Sequence, residues 1–196
     1  MTISKTEIFN IALSNLGVSS LIQNPNQNDT RAILLNNYYE IARDTIFEIH
    51  DWNFASAYKS LALSSLNSPN PNYEFAFVYP TDCISPRCLI DSVSHKEKKF
   101  DIAIINSNEK IILSNSNPVI LRYTKRIENE TLYPAPFVCA LGFYLAYLSA
   151  QTIVGSNNKK NICLQDYQLA IKKAILSDAR KIKNFNQDDN LYTDMR

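Results

Sequence analysis

The chain has 196 residues, and its 20 Lys and Arg against 19 Asp and Glu leave a formal charge of +1, which excludes a global field recruiting DNA or an anionic membrane. With 45% hydrophobic and 11% aromatic residues, disorder is excluded for most of its length, and a core can form without disulfides or a metal. The three glycines, at 17, 142 and 155, form no phosphate-cradling Gly-rich loop and no G-x-S-x-G elbow.

Ser4-Lys5-Thr6-Glu7 fits a capping box, in which hydroxyl and carboxylate each satisfy an orphan amide. A helix follows, with Ile8, Ile11, Ala12, Asn15 and Leu16 at helical spacing and Gly17 placed for a left-handed cap. Residues 19–28, with Pro25 and three asparagines, read as a loop. Asp29 then caps a second helix to about His50, with Ala32, Leu35, Tyr39, Ala42, Ile46 and Ile49 on its apolar face.

After Trp52 the period changes. Residues 54–63 alternate as a strand would, with a helix as the alternative, and a Pro/Asn loop at 67–72 ends the run. Short apolar runs at 73–79, 88–93, 100–105, 110–113 and 119–123 suit an antiparallel sheet. With 22 Asn beside three Gly, Asn is expected at many of the turns. Pro134 and Pro136 open an apolar helix carrying Phe137, Leu141, Tyr144, Leu145 and Leu148, which Gly155 can end. The last helix, residues 158–183, aligns Leu164, Tyr167, Ile171, Ile175 and Ile182.

The predicted class is therefore α+β. Residues 1–50 and 132–183 form a four-helix layer from the N- and C-terminal helix pairs, residues 51–131 an inserted, mostly antiparallel sheet, and residues 184–196 a C-terminal arm. The apolar run 137–148, interrupted by Gly142 and two tyrosines, falls short of the roughly 20 residues of a membrane span, so no membrane crossing is predicted. Residues 1–5 lack the apolar region and cleavage site of a signal peptide, which predicts folding in the cytosol. Cys83, Cys88, Cys139 and Cys163 are accordingly expected as free structural thiols.

Little in the sequence points to catalysis or a cofactor. His50 and His95 have no paired spacing with a cysteine, so no metal set is predicted. Tyr79-Pro80-Thr81-Asp82-Cys83 is the most site-like segment, and a Cys83/His95 nucleophile pair is its catalytic reading. The alternative reading makes Asp82 a turn or cap residue, Cys83 a small buried residue and His95 part of a solvated hairpin tip. Gly17, Trp52, Phe54, Pro80 and Asp82 stand out as fold anchors.

Charge is uneven along the chain. Lys159, Lys160, Lys172, Lys173, Arg180, Lys181 and Lys183 oppose only Asp166 and Asp178 in the last helix, whereas residues 29–51 hold five acidic and two basic side chains. The two helices can meet within one subunit or between neighbours. Lys172, Lys173, Arg180 and Lys181, with Phe185, Leu191 and Tyr192 of the arm, are the candidate partner contacts.

Four motifs occur in a particular order: Asn10-Ile11-Ala12-Leu13 through Leu16-Gly17, Asn37-Tyr38-Tyr39 through Ala42-Arg43-Asp44, Asp51-Trp52-Asn53-Phe54-Ala55, and Tyr79-Pro80-Thr81-Asp82-Cys83. In this series the chain resembles the tail tubular protein A family, the head-to-tail adaptors of short-tailed bacteriophages; the Asn-rich sheet region departs from the family's pattern. The resemblance implies a non-enzymatic virion protein without a cofactor, in the tail or neck and assembled in the host cytoplasm. Its copies, usually twelve, would form a ring between a portal protein and a tail nozzle or tube, with genomic DNA passing through the lumen in transient, non-specific contact. Two other classes stay open, a stopper-type adaptor that completes the head and a small cytosolic enzyme using Cys83.

Overall fold

The computed structural model describes residues 3–105 and 108–191, with side chains through Arg180. The chain is α+β and divides into two compact units, Met1–Phe54 with Ile127–Arg196, and Ala55–Arg126.

The first unit contains α1 (Lys5–Leu16), α2 (Thr30–Glu48), α3 (Ala135–Val154) and α4 (Asn157–Leu191). Local chemistry sets the ends of α1. The Ser4 amide donates to Glu7 Oε2 at 2.8 Å while the Glu7 amide donates to Ser4 Oγ at 3.3 Å, and Gly17 takes a φ of 81° as the left-handed cap. Asn10 then ties down the following loop: its Nδ2 donates to the Ile22 carbonyl at 2.9 Å and its Oδ1 accepts the Ile22 amide at 3.0 Å, which buries Ile22. Asp29 caps α2 by accepting the Arg31 amide at 2.8 Å. The Arg31 guanidinium folds back onto the same carboxylate and holds it well below the usual carboxylate range.

Helix α2 buries the expected face except at one end, since Ile49 is exposed and Phe47 is buried in its place. The 3.6-residue period stops where the chain turns toward Trp52, and the turn chooses which end residue faces inward. Residues Asn53–Ala55 form a 3-10 turn, so the predicted strand begins only at Ser56. Trp52, Phe54 and Phe47 gather with Tyr133 around Phe137, with ring centres 4.9–6.2 Å apart. This aromatic cluster draws Trp52–Phe54 and the segment from Ile127 into the helical unit, whereas the sequence pattern places both in the insert.

At 20 residues, α3 is longer than its apolar core suggests, and by length and composition alone it could cross a membrane. It packs against α1, α2 and α4 and buries Phe137, Val138, Leu141 and Leu145 there. Gly142 allows α1 to come close: a Cβ at this position would lie 2.5 Å from Ile11 Cγ2 and 3.0 Å from Ile11 Cβ. Because a β-branched side chain has little room to swing away, overpacking outweighs the better helix propensity of alanine. Gly142→Ala should therefore lower stability by about 1–2 kcal/mol, read as a reduced denaturation midpoint with an unchanged m-value.

The backbone of α4 stays helical through Leu191, past the predicted end at Lys183, which moves the start of any arm beyond 184. Its inward side presents Cys163, Ala170, Ile171, Ala174 and Asp178.

The second unit holds two antiparallel sheets where one was expected. Strands β1 (Ser56–Ser60), β7 (Val119–Lys125), β3 (Cys83–Asp91) and β4 (Glu97–Lys98) form one sheet in that order, and β2 (Phe75–Val78), β6 (Glu109–Ser114) and β5 (Asp101–Ile105) form the other. Beyond β1 the chain turns a corner. The Leu61 amide still donates to Val119 of the first sheet, while Ser64 and Val78 exchange backbone bonds with Ala76 and Ala62 along β2. Leu61, Phe77, Leu89, Ile112, Val119, Leu121 and Tyr123 form the shared core between the sheets. A single amphipathic sheet would leave half of these side chains in water.

Strand β3 begins at Cys83, five residues before the apolar run that predicted it, and includes Pro86. The register shifts between Cys83 and Ser85 and again between Pro86 and Cys88, with Pro86 opposite Tyr123; β4 pairs only with Leu89 and Ile90, so the proline lies where β3 is bonded to β7 alone. Arg87 Nε donates to Thr124 Oγ1 at 2.8 Å across the ladder.

Candidate functional site

In the sheet unit, Pro80 is buried in a turn closed by the Cys83 amide donating to the Pro80 carbonyl at 3.1 Å. Asp82 locks this turn to β7. Its carboxylate accepts from the Tyr123 hydroxyl at 3.1 Å and lies 3.5 Å from Lys125 Nζ, while its carbonyl accepts the Arg126 amide at 2.7 Å. Burial, with the Asp82 carboxylate adding to it, pushes Tyr123 up to about 12. Next to the turn is a cavity of about 600 Å³ lined by Tyr79, Thr81, Cys83, Lys110 and Arg126 among others.

Cys83 is half-buried, and its Sγ lies 3.3 Å from the Tyr79 hydroxyl. Burial pushes its thiol up, against the hydrogen bond to Tyr79, so the thiolate is disfavoured. His95 is at the other end of β3, where its amide closes the hairpin onto the Asp91 carbonyl at 2.9 Å and its φ is 55°. Nine residues of strand at about 3.3 Å each separate the two ends, so His95 cannot serve as the base for Cys83. The Cys83/His95 pair of the sequence reading is not assembled. The hairpin tip is organised by Asp91, which accepts from the Val93 and Ser94 amides and from the Ser94 hydroxyl; the Ser94 bonds hold its carboxyl below the usual range.

In the helical unit, a buried polar clasp joins the end of α2 to α4. Asp178 Oδ2 accepts from the Asn53 amide at 3.1 Å and from Asn53 Nδ2 at 3.0 Å, and His50 Nε2 lies 3.2 Å away. The Asn53 side chain also donates to the Asp178 carbonyl. The His50 ring meets Trp52 edge-on at 4.8 Å, and Trp52 Nε1 donates to the Ile46 carbonyl at 2.8 Å. A second network surrounds Tyr39, whose hydroxyl donates to Glu130 Oε1 at 2.9 Å. Lys5 Nζ sits 4.6 Å from the Tyr39 ring centre, and Arg43 is buried beside it with Nε on Asp44 Oδ1 at 2.9 Å. Burial holds both Tyr39 and Tyr133 well above the usual tyrosine range.

These clasps change the charge on the outside of α4. The two carboxylates counted against its lysines face inward: Asp178 is 4% exposed, and half-buried Asp166 accepts from Asn15 Nδ2 at 3.0 Å. Lys172, Lys173 and Arg180 are exposed, so the outer face is more basic than the net count of the helix indicates. Only the helical backbone is described at Lys181, Phe185 and Leu191, and Tyr192 lies outside the described residues. Sequence reasoning missed the apolar component of this face, since Leu169 and Leu176 are 58% and 59% exposed and Ile162 is exposed with them. Their seven-residue spacing was the available signal. Cys139, expected as a structural thiol, is free but exposed on α3, beside an apolar groove lined by Ile3, Ile11 and Val138.

No protein-family model matches the chain, and no curated protein matches it.

Proposed function

We propose that this chain is a structural virion protein, a head-to-tail adaptor subunit that forms a ring, of twelve copies as its family resemblance implies, between a portal protein and a tail nozzle or tube. The single observation behind this reading is that all four motifs of the resemblance fall on joints of the fold. Asn10 holds the loop after α1, Tyr39 and Arg43 build the polar network under α2, Trp52 and Phe54 centre the aromatic cluster, and Asp82 fastens the turn into β3. Residues that set a fold, more than residues that do chemistry, are what an assembly subunit shares with its relatives.

The outer face of α4 serves subunit and portal contacts, and DNA in the lumen meets it weakly and without sequence preference. Tight phosphate contacts would slow ejection and produce strong, salt-dependent DNA binding. The protein would be made in the host cytoplasm and end in the neck of the particle. Light scattering on a size-exclusion column, with the chain alone and mixed with a portal protein, tests the assignment. A ring in either sample, visible by negative-stain microscopy, is the expected result. A chain that stays monomeric and leaves the portal unbound would refute it.

A further inference from the structure

We infer that β5 is a docking edge for a second copy of this chain, the two strands pairing antiparallel about a two-fold axis at Ala103 and joining their sheets edge to edge. This goes beyond the adaptor reading and does not depend on it. β5 is the last strand of its sheet and is bonded to β6 on one side only. The Asn108 amide closes the turn between the two strands onto the Ile105 carbonyl at 2.9 Å, which directs that carbonyl toward β6. Antiparallel ladders use the amide and carbonyl of alternate residues, so Ala103 and Asp101 share this direction and the backbone groups of Ile102 and Ile104 point away from the sheet. Among the described residues nothing bonds to them. Their side chains also reach past the core. Ile102 stands opposite Ile112 on the same side of the sheet, yet Ile112 is fully buried between the sheets while Ile102 and Ile104 are 47% and 66% exposed.

The other edges of this unit are protected. β4 is two residues long and set among Lys96, Lys98 and Lys99, β1 carries Lys59, and along β2 the Ser64 and Val78 amides close the edge from within the chain. β5 has no lysine, no proline and no register shift. Such an edge takes an extended backbone as its occupant, because only a strand meets alternating donors and acceptors at their spacing. β5 itself is the strand that fits. Pairing Ile102 with Ile104 of the second copy, and Ile104 with its Ile102, satisfies the outward amides and carbonyls of both strands and sets isoleucine against isoleucine on one face. Asp101 then lies opposite Ile105, so no like charges meet. Both strands are already formed on their own sheets, which spares the ordering cost that an irregular segment would meet.

The test is light scattering on a size-exclusion column over a concentration series, on wild type and on variants of the full chain checked for native circular dichroism and melting. A two-fold contact doubles the mass of whatever unit carries it and then closes. Wild type should show that doubling as concentration rises. Ile104→Pro removes an outward amide that takes no part in the ladder with β6, so the fold should hold while the doubling weakens at least about tenfold. Ile104→Glu keeps the amide, should weaken the doubling as well, and carries the test if the proline variant does not fold. Adding Ile102→Lys to Ile104→Glu should restore it, because each lysine then faces a glutamate of the second copy, whereas a shifted register sets like charges together. Hydrogen exchange locates the contact, since the Ile102 amide should be protected in the doubled form of the wild type and exchange freely in Ile104→Pro. Wild-type doubling by folded Ile104→Pro or Ile104→Glu, a folded double variant that does not recover, an unprotected Ile102 amide in the doubled form, or a wild type that never doubles would each overturn the contact.

Discussion

Trp52→Ala should cost the helical unit about 3–5 kcal/mol, the usual range for truncating a fully buried aromatic. Trp52 is 1% exposed and its ring touches His50, Phe54 and Phe137 at 4.8–5.9 Å, so its loss opens a cavity at the centre of the aromatic cluster. The Ile46 carbonyl would also lose the indole N–H it accepts at 2.8 Å in a buried setting. Trp52→Phe should recover most of the packing and leave the carbonyl unpaired, so its loss should be clearly smaller. Urea denaturation followed by far-ultraviolet circular dichroism separates the two variants, since removing the only tryptophan also removes the fluorescence signal. Equal losses in the two variants would show that the hydrogen bond, and not the packing, dominates at this position.

The second large effect is expected at Asp178. Replacing it with alanine removes the buried carboxylate that the Asn53 amide, the Asn53 side chain and His50 share, and leaves only the Asn53 side-chain bond to the backbone carbonyl of residue 178 to hold the clasp. Breaking a buried, hydrogen-bonded carboxylate set of this kind costs about 3 kcal/mol. Asp178→Asn keeps one acceptor oxygen and should lose less. Hydrogen exchange is the more informative measurement, because weakening the clasp should raise exchange along α4 near 178 and at Asn53 before it reaches α1. A uniform rise across the unit would show instead that α4 does not open as a separate element. Since the same helix carries Leu169, Lys173 and Leu176 on its other side, the alanine variant should also assemble less well, through loss of orientation and not of contact.

How far the fold was readable from sequence depended on how local each cause is. The capping box at Ser4 and Glu7, the left-handed glycines at 17 and 155, and the Asp29 cap are decided within four residues, and all are present in the structure. The apolar stripes of α1, α2 and α4 follow from a period that any core would enforce. By contrast, Pro86 hid the first half of β3 because a proline argues against a strand paired on both sides, and only the folded sheet decides that β4 reaches no further than Leu89 and Ile90. The separation into two sheets was hidden for a similar reason. The apolar runs in β2, β6 and β7 show that each is a strand with buried side chains, but not that Phe77 and Ile112 would face Leu89 and Leu121.

The sequence by itself determined where α1 starts and stops, where α2 starts and where α3 stops, that the chain is α+β, and that its charge is uneven between α2 and α4. Only the tertiary structure decided which charges reach solvent. Asp166 and Asp178 count against the lysines of α4 in any tally along the chain, yet Asn15, His50 and Asn53 draw them inward from residues more than a hundred positions away. Gly142 is likewise an interruption in an apolar run until Ile11 of α1 is placed against it. Periodicity and capping act through neighbours a turn apart, whereas burial of a charge and the approach of two backbones are settled by whichever distant segment packs there, and that information appears only when the chain is folded.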